Sequence, residues 1–197
     1  MKNSKGFILI VLLLSGIVHL FAQPNTCPLP SAENKNIYTT QPKTTTTRSM
    51  LLYEDFWNGV PPSGWEVLGQ GQSNWKGGYS SYAGGKYPEI MFVKYPQING
   101  TSRLVTNTIN TTGFTALVFE MKHTINNYNS LYELKIEVSG NGTTWNTIWT
   151  MPPTGAPEPE IVNVIIDNGS VGDEDFQVAI TFSGNSYQAT EWYQSCY

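Results

Sequence analysis

The sequence carries little charge. Asp, Glu, Lys and Arg make up 13% of its 197 residues, against about 25% in ordinary soluble domains. Eleven basic and fifteen acidic side chains give a formal net charge of −4, so the chain lacks the basic surface that binds nucleic-acid phosphates. Because 40% of the residues are hydrophobic, disorder and a charge-rich coiled coil are also excluded. We expect a folded domain with no nucleic-acid partner.

Histidine and cysteine are scarce, which limits the chemistry open to the chain. The histidines are His19 and His123, and the cysteines are Cys27 and Cys196. No HExxH, P-loop or GxSxG motif occurs, and a serine nucleophile would have to rely on His123 as its base. We interpret His123 as an inward-facing residue at a strand end, with its ring nitrogens hydrogen-bonded, and not as a catalytic base. The two cysteines form a disulfide or remain reduced, and the sequence leaves that choice open.

The first twenty-two residues predict a cleaved signal peptide. Lys2 and Lys5 precede an apolar run over residues 7–18, and Ala22 offers a small residue before Gln23. The run is shorter than the about 20 residues that span a bilayer. The protein is therefore expected to be secreted or held at the cell surface, with no membrane span after cleavage.

A Thr- and Pro-rich tract follows over residues 23–49 and includes four consecutive threonines at 44–47. Its apolar residues are too sparse for a core, which predicts an extended linker. The folded domain is expected over 50–197.

Most of that domain alternates between apolar and polar residues with a period of two, which is typical of half-buried strands. The strongest runs lie at 117–122, 132–138 and 176–182, with further candidate strands at 51–56, 89–94, 103–109, 145–150 and 160–166. Turn signals such as Asn99-Gly100 and Asn168-Gly169 separate the runs, and no sustained helical stripe appears. The pattern predicts an all-β, two-sheet antiparallel β-sandwich, with a jelly roll as the favoured topology.

A series of short motifs also follows a recognisable order along the chain. They are LYEDF at 52–56, PPSGW at 61–65, SNW at 73–75, SRLV at 102–105, SGNGTTW at 139–145, FQVAI at 176–180 and WY at 192–193. Together they resemble the cleaved-adhesin and choice-of-anchor J domains, which are MAM-like (galactose-binding-like) jelly rolls of secreted and surface proteins in Bacteroidetes-type bacteria. The resemblance covers nearly all of 50–193. It implies a mostly non-catalytic adhesive or glycan-binding role and often a structural calcium ion.

The chain departs from the family pattern in two places. Trp57 stands where family members usually carry an acid, and the family's last strand continues as Trp-Tyr-Ile-Asp where this chain has Gln194 and Ser195. An acid that would help to close a calcium site is therefore absent. The closing strand is expected to be incomplete or missing.

Glu54 is the acid that we assign to the predicted calcium site. It shares the parity of Leu52 and Phe56, so a strand here would carry it toward the core, where a carboxylate needs a partner. Calcium accepts such oxygen ligands, and the resemblance associates this position with that ion. A glutamate reaching solvent or pairing with Arg103 is the alternative. The acidic loop at 167–175 is a second oxygen-rich stretch without EF-hand spacing.

Aromatic residues in loops suggest sugar binding, because rings stack on pyranose faces while neighbouring polar groups bind hydroxyls. We assign Tyr79, Tyr82 and Tyr128 as candidate ligand contacts. The expected function is a secreted, non-catalytic adhesion or glycan-binding module whose partner is a glycan or an extracellular protein.

Two alternatives remain open. One is a glycoside hydrolase of the same architecture, using a pair among Glu120, Glu133 and Glu137, although all three lie on the polar face of their strands. The other is a structural accessory domain of a larger surface protein or peptidase.

Overall fold

The structure is a computed structural model that describes residues 10–17, 49–125, 128–189 and 192–196, with the backbone alone for 10–17 and 192–196. Eleven strands account for most of it. In chain order they are β1 (Ile10–Ile17), β2 (Glu66–Gly69), β3 (Trp75–Gly78), β4 (Lys86–Phe92), β5 (Asn99–Val105), β6 (Leu117–Ile125), β7 (Tyr132–Ser139), β8 (Asn146–Thr150), β9 (Ala156–Ile166), β10 (Gln177–Asn185) and β11 (Trp192–Cys196). Short 3₁₀ turns lie at Gln72–Asn74 and Ser186–Gln188.

The strands form two sheets. The first has six strands in the order β3-β4-β11-β1-β6-β9, and the second has five in the order β2-β5-β10-β7-β8. Every pairing is antiparallel except that of β1 with β11. The predicted all-β, two-sheet sandwich is confirmed.

The core lies between the inner faces of the two sheets. Phe92 of β4 stacks on Phe182 of β10, with ring centroids 4.3 Å apart, and Tyr132 of β7 stacks on the same ring at 5.6 Å. Phe92 and Phe182 are completely buried, and burial of such a side chain contributes about 1.5–3 kcal/mol. The period-two alternation of the sequence produces this core, because it places every second side chain on the inner face.

The alternating runs predict most of the strands. The three strongest runs correspond to β6, β7 and β10, and the candidates at 89–94, 103–109, 145–150 and 160–166 overlap β4, β5, β8 and β9. The candidate strand at 51–56 is wrong, since only an isolated bridge forms at Leu52 and the chain then turns. The four-residue strands β2 and β3 were not predicted, because each is too short for an alternation to be recognised.

Two terminal strands bear on the expectations for the chain ends. The residues that we expected to leave the closing strand incomplete form β11, which pairs with β4, so the expectation of a missing strand is wrong. Part of the predicted leader forms β1, between β11 and β6, and its cleavage stays a prediction. Residues 23–48, with Cys27, lie outside the described residues, as does the side chain of Cys196.

The edges of the sheets are short or contain proline. The edge strands β2 and β3 have four residues each and β8 has five, whereas the edge strand β9 has eleven. Pro157 and Pro159 lie in β9 and provide no backbone N–H. In the described part of the chain, no helix is long and apolar enough to cross a membrane.

Candidate functional site

A tight turn at 54–59 opens the candidate site. The backbone N–H of Phe56 donates to Oε1 of Glu54 at 2.6 Å, and that of Trp57 donates to Oδ1 of Asp55 at 3.1 Å. Phe56 has a φ of +56°, which is uncommon for a residue other than glycine. These side-chain hydrogen bonds compete with a strand ladder. They explain why the predicted strand at 51–56 does not form.

The turn directs two neighbouring aromatic residues to opposite environments. Phe56 is buried and packs edge-on against Trp65, with centroids 5.9 Å apart. Trp57, the next residue, is 65% exposed. The buried Phe56 thus anchors the turn, and Trp57 is presented to solvent.

The β3–β4 loop, residues 79–85, faces this turn and is held from below by Glu89. Glu89 is completely buried. Its two oxygens accept hydrogen bonds from the hydroxyl of Ser80 at 2.5 Å and from the backbone N–H of Ala83 at 3.2 Å. The ammonium of Lys122, on β6, donates to the carbonyl of Gly84 at 3.4 Å. The loop is therefore fixed through its backbone and small side chains, which leaves its tyrosines exposed.

Two adjoining cavities lie between the turn and the loop, and Trp57 lines both. The first, of about 330 Å³, is lined by Phe56, Trp57, Gly59, Gly77, Tyr79 and Pro88. The second, of about 510 Å³, is lined by Tyr53, Asp55, Trp57, Ser81, Gly85, Lys86 and Tyr87. Both volumes lie within the range of small-molecule sites.

Four exposed aromatic side chains line these cavities, and a fifth, Tyr82, lies in the adjoining loop; we call the five the aromatic cluster. They are Tyr53, Trp57, Tyr79, Tyr82 and Tyr87. The rings of Trp57 and Tyr87 lie 6.1 Å apart with their planes tilted by 41°, and Tyr79 is 93% exposed. Large aromatic side chains are usually buried, so a cluster that is left in solvent beside cavities is a candidate binding surface.

The structure brings together two of the three predicted ligand contacts. Tyr79 lines the first cavity and Tyr82 belongs to the same loop. Tyr128 is half-buried elsewhere, where its ring packs edge-on against Tyr132 at 5.2 Å and its hydroxyl donates to the Tyr132 carbonyl. Its role as a contact stays a prediction, separate from the aromatic cluster.

Glu54 lies at the base of the turn. Burial raises the pKa of its carboxyl above the ordinary value, the charge of Asp55 adds to that effect, and the hydrogen bond from Phe56 opposes it. Over the described residues no group of three His, Cys, Asp or Glu side chains comes together as a metal site. Calcium at Glu54 therefore stays a prediction, and the observed partner of Oε1 is the Phe56 backbone.

The carboxylates considered for glycosidase chemistry do not come together. Glu120 is on β6 in the six-stranded sheet, while Glu133 and Glu137 are on β7 in the other sheet. Glu120 accepts from Asn163 at 3.1 Å, and Glu133 pairs with Lys135. Glu120 therefore lies on a strand of the other sheet and not beside β7.

Glu137 has the environment of a structural ion pair. Burial alone would raise the pKa of its carboxyl, but hydrogen bonds from Arg103 at 2.7 Å and Thr181 at 2.6 Å lower that pKa below the ordinary value. A glycosidase acid needs the opposite shift. Arg103 pairs with Glu137, so the alternative of an Arg103 pair for Glu54 is not observed.

His123 lies inside the sandwich, as predicted from its parity, but the expectation that both ring nitrogens are hydrogen-bonded is wrong over the described residues. It is 1% exposed, its ring packs edge-on against Trp149 at 5.0 Å, and its Nδ1 has no hydrogen-bond partner among the described residues. Burial lowers its pKa to about 4. Glu160 lies 3.9 Å from Nε2 but is half-exposed, so the loss of hydration dominates and the imidazole is neutral at pH 7.

Sequence reasoning missed three parts of the site. Trp57 was noticed only as a departure from the family pattern, and Glu89 was not singled out because a polar residue in an alternating strand predicts an outward-facing side chain. Tyr53 belongs to the LYEDF motif, but nothing in the sequence marks it as a ligand contact.

The chain matches no protein-family model and no curated protein sequence.

Proposed function

We propose that the protein is a secreted, non-catalytic adhesion or glycan-binding module on a jelly-roll scaffold of the choice-of-anchor J type. The observation that carries the proposal is the aromatic cluster, which leaves five large rings in solvent beside two cavities. Sugar rings stack on such faces, and neighbouring Asp, Lys and Ser side chains provide hydrogen bonds for hydroxyls.

The rigidity of the site also supports recognition. Glu89 and Lys122 fix the loop from the sheet side, and the Glu54 and Asp55 hydrogen bonds fix the turn. A site that is organised before binding loses less conformational entropy when the ligand arrives. The absence of a close carboxylate pair at Glu120, Glu133 and Glu137 favours binding over glycoside hydrolysis.

The test is binding of the exported protein to a glycan array, followed by titration calorimetry with the strongest ligands. We expect Trp57→Ala and Tyr79→Ala each to weaken binding by about tenfold, which corresponds to about 1.4 kcal/mol, since truncation of an aromatic side chain that anchors an interface typically costs more than about 1 kcal/mol. Tyr187→Ala is the matched control, because the exposure of Tyr187 is similar to that of Trp57 and its ring packs against Tyr95, at 6.3 Å, outside both cavities.

Three outcomes would contradict the proposal. They are binding that is insensitive to Trp57→Ala, no binding to any glycan on the array, and release of sugar products from a bound glycan. The last would favour the hydrolase alternative. Secretion is tested by the intact mass of the exported protein, which we expect to begin at Gln23; a product retaining residues 1–22 would contradict the signal-peptide prediction.

A further inference from the structure

The two cavities of the aromatic cluster meet at one shared wall residue, Trp57. Their other walls include residues that are adjacent in the sequence. Phe56 and Pro88 line the first cavity, and the residues that precede them, Asp55 and Tyr87, line the second. A ligand that stacks on Trp57 and continues past it therefore enters both cavities. A single sugar ring fills only one of them.

The two cavities differ in chemistry. The walls of the first are Phe56, Trp57, Tyr79, Pro88 and two glycines, so none of the described residues that line it is charged. The second contains Asp55 and Lys86 beside Tyr53 and Tyr87. An uncharged, partly apolar ring face fits the first cavity. The second is equipped for a polar or charged group.

Lys86 is the cation of the second cavity, and no residue that the structure describes is its partner. Its side chain is exposed and forms no ion pair or hydrogen bond with the described residues. Other basic side chains are engaged: Lys122 with the Gly84 carbonyl and Lys135 with Glu133. An unpaired ammonium beside aromatic rings is suited to a ligand carboxylate.

Asp55 also faces the second cavity, and its charge has to be accommodated by the same ligand. Its Oδ1 is occupied by the Trp57 N–H, and its Oδ2 has no partner among the described residues. A carboxylate oxygen of this kind accepts hydrogen bonds from sugar hydroxyls. A ring bearing both a carboxylate for Lys86 and hydroxyls for Asp55 satisfies both groups, and a uronic acid is such a ring.

Building on the proposed glycan-binding function, we propose that the site is specific for an acidic oligosaccharide of at least two rings. One uncharged ring occupies the cavity lined by Phe56, Tyr79 and Pro88. The adjoining uronic acid occupies the cavity of Asp55 and Lys86. Trp57 packs between the two rings.

The experiment compares acidic with neutral oligosaccharides on the exported protein. The probes are galacturonan, alginate, glucuronoxylan and hyaluronan fragments of one to four rings, beside neutral galactan, xylan and mannan fragments of the same lengths. Titration calorimetry is run at low salt and at 0.5 M NaCl. We expect uronate-containing fragments to bind most tightly, and two or more rings to bind about tenfold better than one.

Lys86 variants separate charge from packing. Lys86→Gln should weaken binding of the uronate fragments by about tenfold and remove most of the salt dependence, whereas Lys86→Arg should retain both. Lys94→Gln is the matched control, since Lys94 lies over an aromatic ring, 5.5 Å from the Tyr95 centroid, but outside both cavities. It should leave binding unchanged.

The outcomes distinguish this inference from the proposed function. Tight binding of neutral fragments that depends on Trp57 but not on Lys86 would overturn the inference and leave the glycan-binding function in place. Equal affinity for one ring and for three would overturn the two-ring arrangement. If no fragment binds and Trp57→Ala changes nothing, both proposals fail.

Discussion

The aromatic cluster can be compared with a polar cavity elsewhere on the molecule. The polar cavity has a volume of about 460 Å³, within the range of the aromatic pair, and lies between the loops that follow β7 and β9. Its walls are Gly140, Asn141, Thr144, Asn146, Asn168, Gly169, Ser170 and Asp173. It contains part of the acidic loop at 167–175.

The two regions use their hydrogen-bonding groups differently. In the polar cavity, Oδ1 of Asn141 accepts from the backbone N–H groups of Thr143 and Thr144 at 2.9 and 2.8 Å, and Oδ1 of Asn168 accepts from that of Ser170 at 3.0 Å. These amide oxygens stabilise their own turns. In the aromatic cluster the buried Glu89 holds the loop from behind, and Lys86 and Oδ2 of Asp55 have no partner among the described residues. The two regions therefore differ in how their polar groups are hydrogen-bonded, and not in the volume of their cavities.

The same β-sandwich carries both regions. The largest effect that we expect is the loss of its folding stability in acid. Because burial lowers the pKa of His123 from 6.5 to about 4, the unfolded chain binds a proton over that interval that the folded protein does not bind. Stability is therefore greatest above pH 6.5 and falls as the pH is lowered to 4. At 1.36 kcal/mol per pKa unit the loss is about 3 kcal/mol.

Urea unfolding at pH 7 and pH 4 measures this loss, with His123→Gln as the comparison. Both proteins contain Glu137, whose lowered pKa adds its own loss in acid, so the difference between them isolates His123. An equal acid loss in the two proteins would show that the imidazole is protonated in the folded state.

The next largest effect is expected at Glu89. Glu89→Ala leaves the Ser80 hydroxyl and the Ala83 N–H without their acceptor, which should lower the free energy of unfolding by about 1–3 kcal/mol. It should also weaken glycan binding, because the loop that carries Tyr79 is released. Calorimetry well below the melting temperature measures the binding.

Glu137→Gln provides the matched control for Glu89. It changes another buried glutamate, which is held by Arg103 and Thr181 in the five-stranded sheet, and should reduce stability without reducing affinity. Equal losses of affinity in the two variants would mean that Glu89 contributes only to general stability.

A smaller effect is expected in the polar cavity. Asn141→Ala removes the acceptor of two backbone N–H groups and should cost about 1 kcal/mol of unfolding free energy. Glycan affinity should not change. A marked loss of affinity would indicate that the glycan binds in the polar cavity and not at the aromatic cluster.

Calcium gives the smallest expected effect, since Glu54 belongs to no cluster of three metal-ligating side chains within the part of the chain that the structure describes. The calcium prediction is that EDTA lowers the melting temperature and that Glu54→Ala abolishes the difference. A melt that EDTA leaves unchanged would assign Glu54 only to the turn that it forms with Phe56.

The strands were predictable because alternation is a direct consequence of burying one face of a sheet. The period-two runs of β6, β7 and β10 place Phe119, Leu134 and Phe182 in the core, and all three are buried there. The two-layer architecture follows from such runs. The position of Tyr79 in an exposed loop was also predicted.

The turn at 54–59 and the buried Glu89 were not predictable in this way. They depend on side-chain hydrogen bonds that the alternation of apolar and polar residues does not indicate. Glu54 and Asp55 fold their side chains onto the next turn of backbone, so a segment with strand-like parity bends instead. Glu89 is buried because Ser80 and Ala83 of the following loop satisfy its oxygens. Such pairings join residues whose contact depends on the finished fold, so the linear pattern could not reveal them.

The prolines of β9 bear on how copies of the protein can pack together, and therefore on the adhesive function proposed above. Pro157 and Pro159 interrupt the donor row of the longest free edge, and the remaining edge strands are only four or five residues long. Neighbouring copies are thereby hindered from joining into a shared sheet. Under the proposed adhesive function, avidity then has to come from several domains attached to the same surface. Their high effective concentration raises the overall affinity above that of each weak binding site.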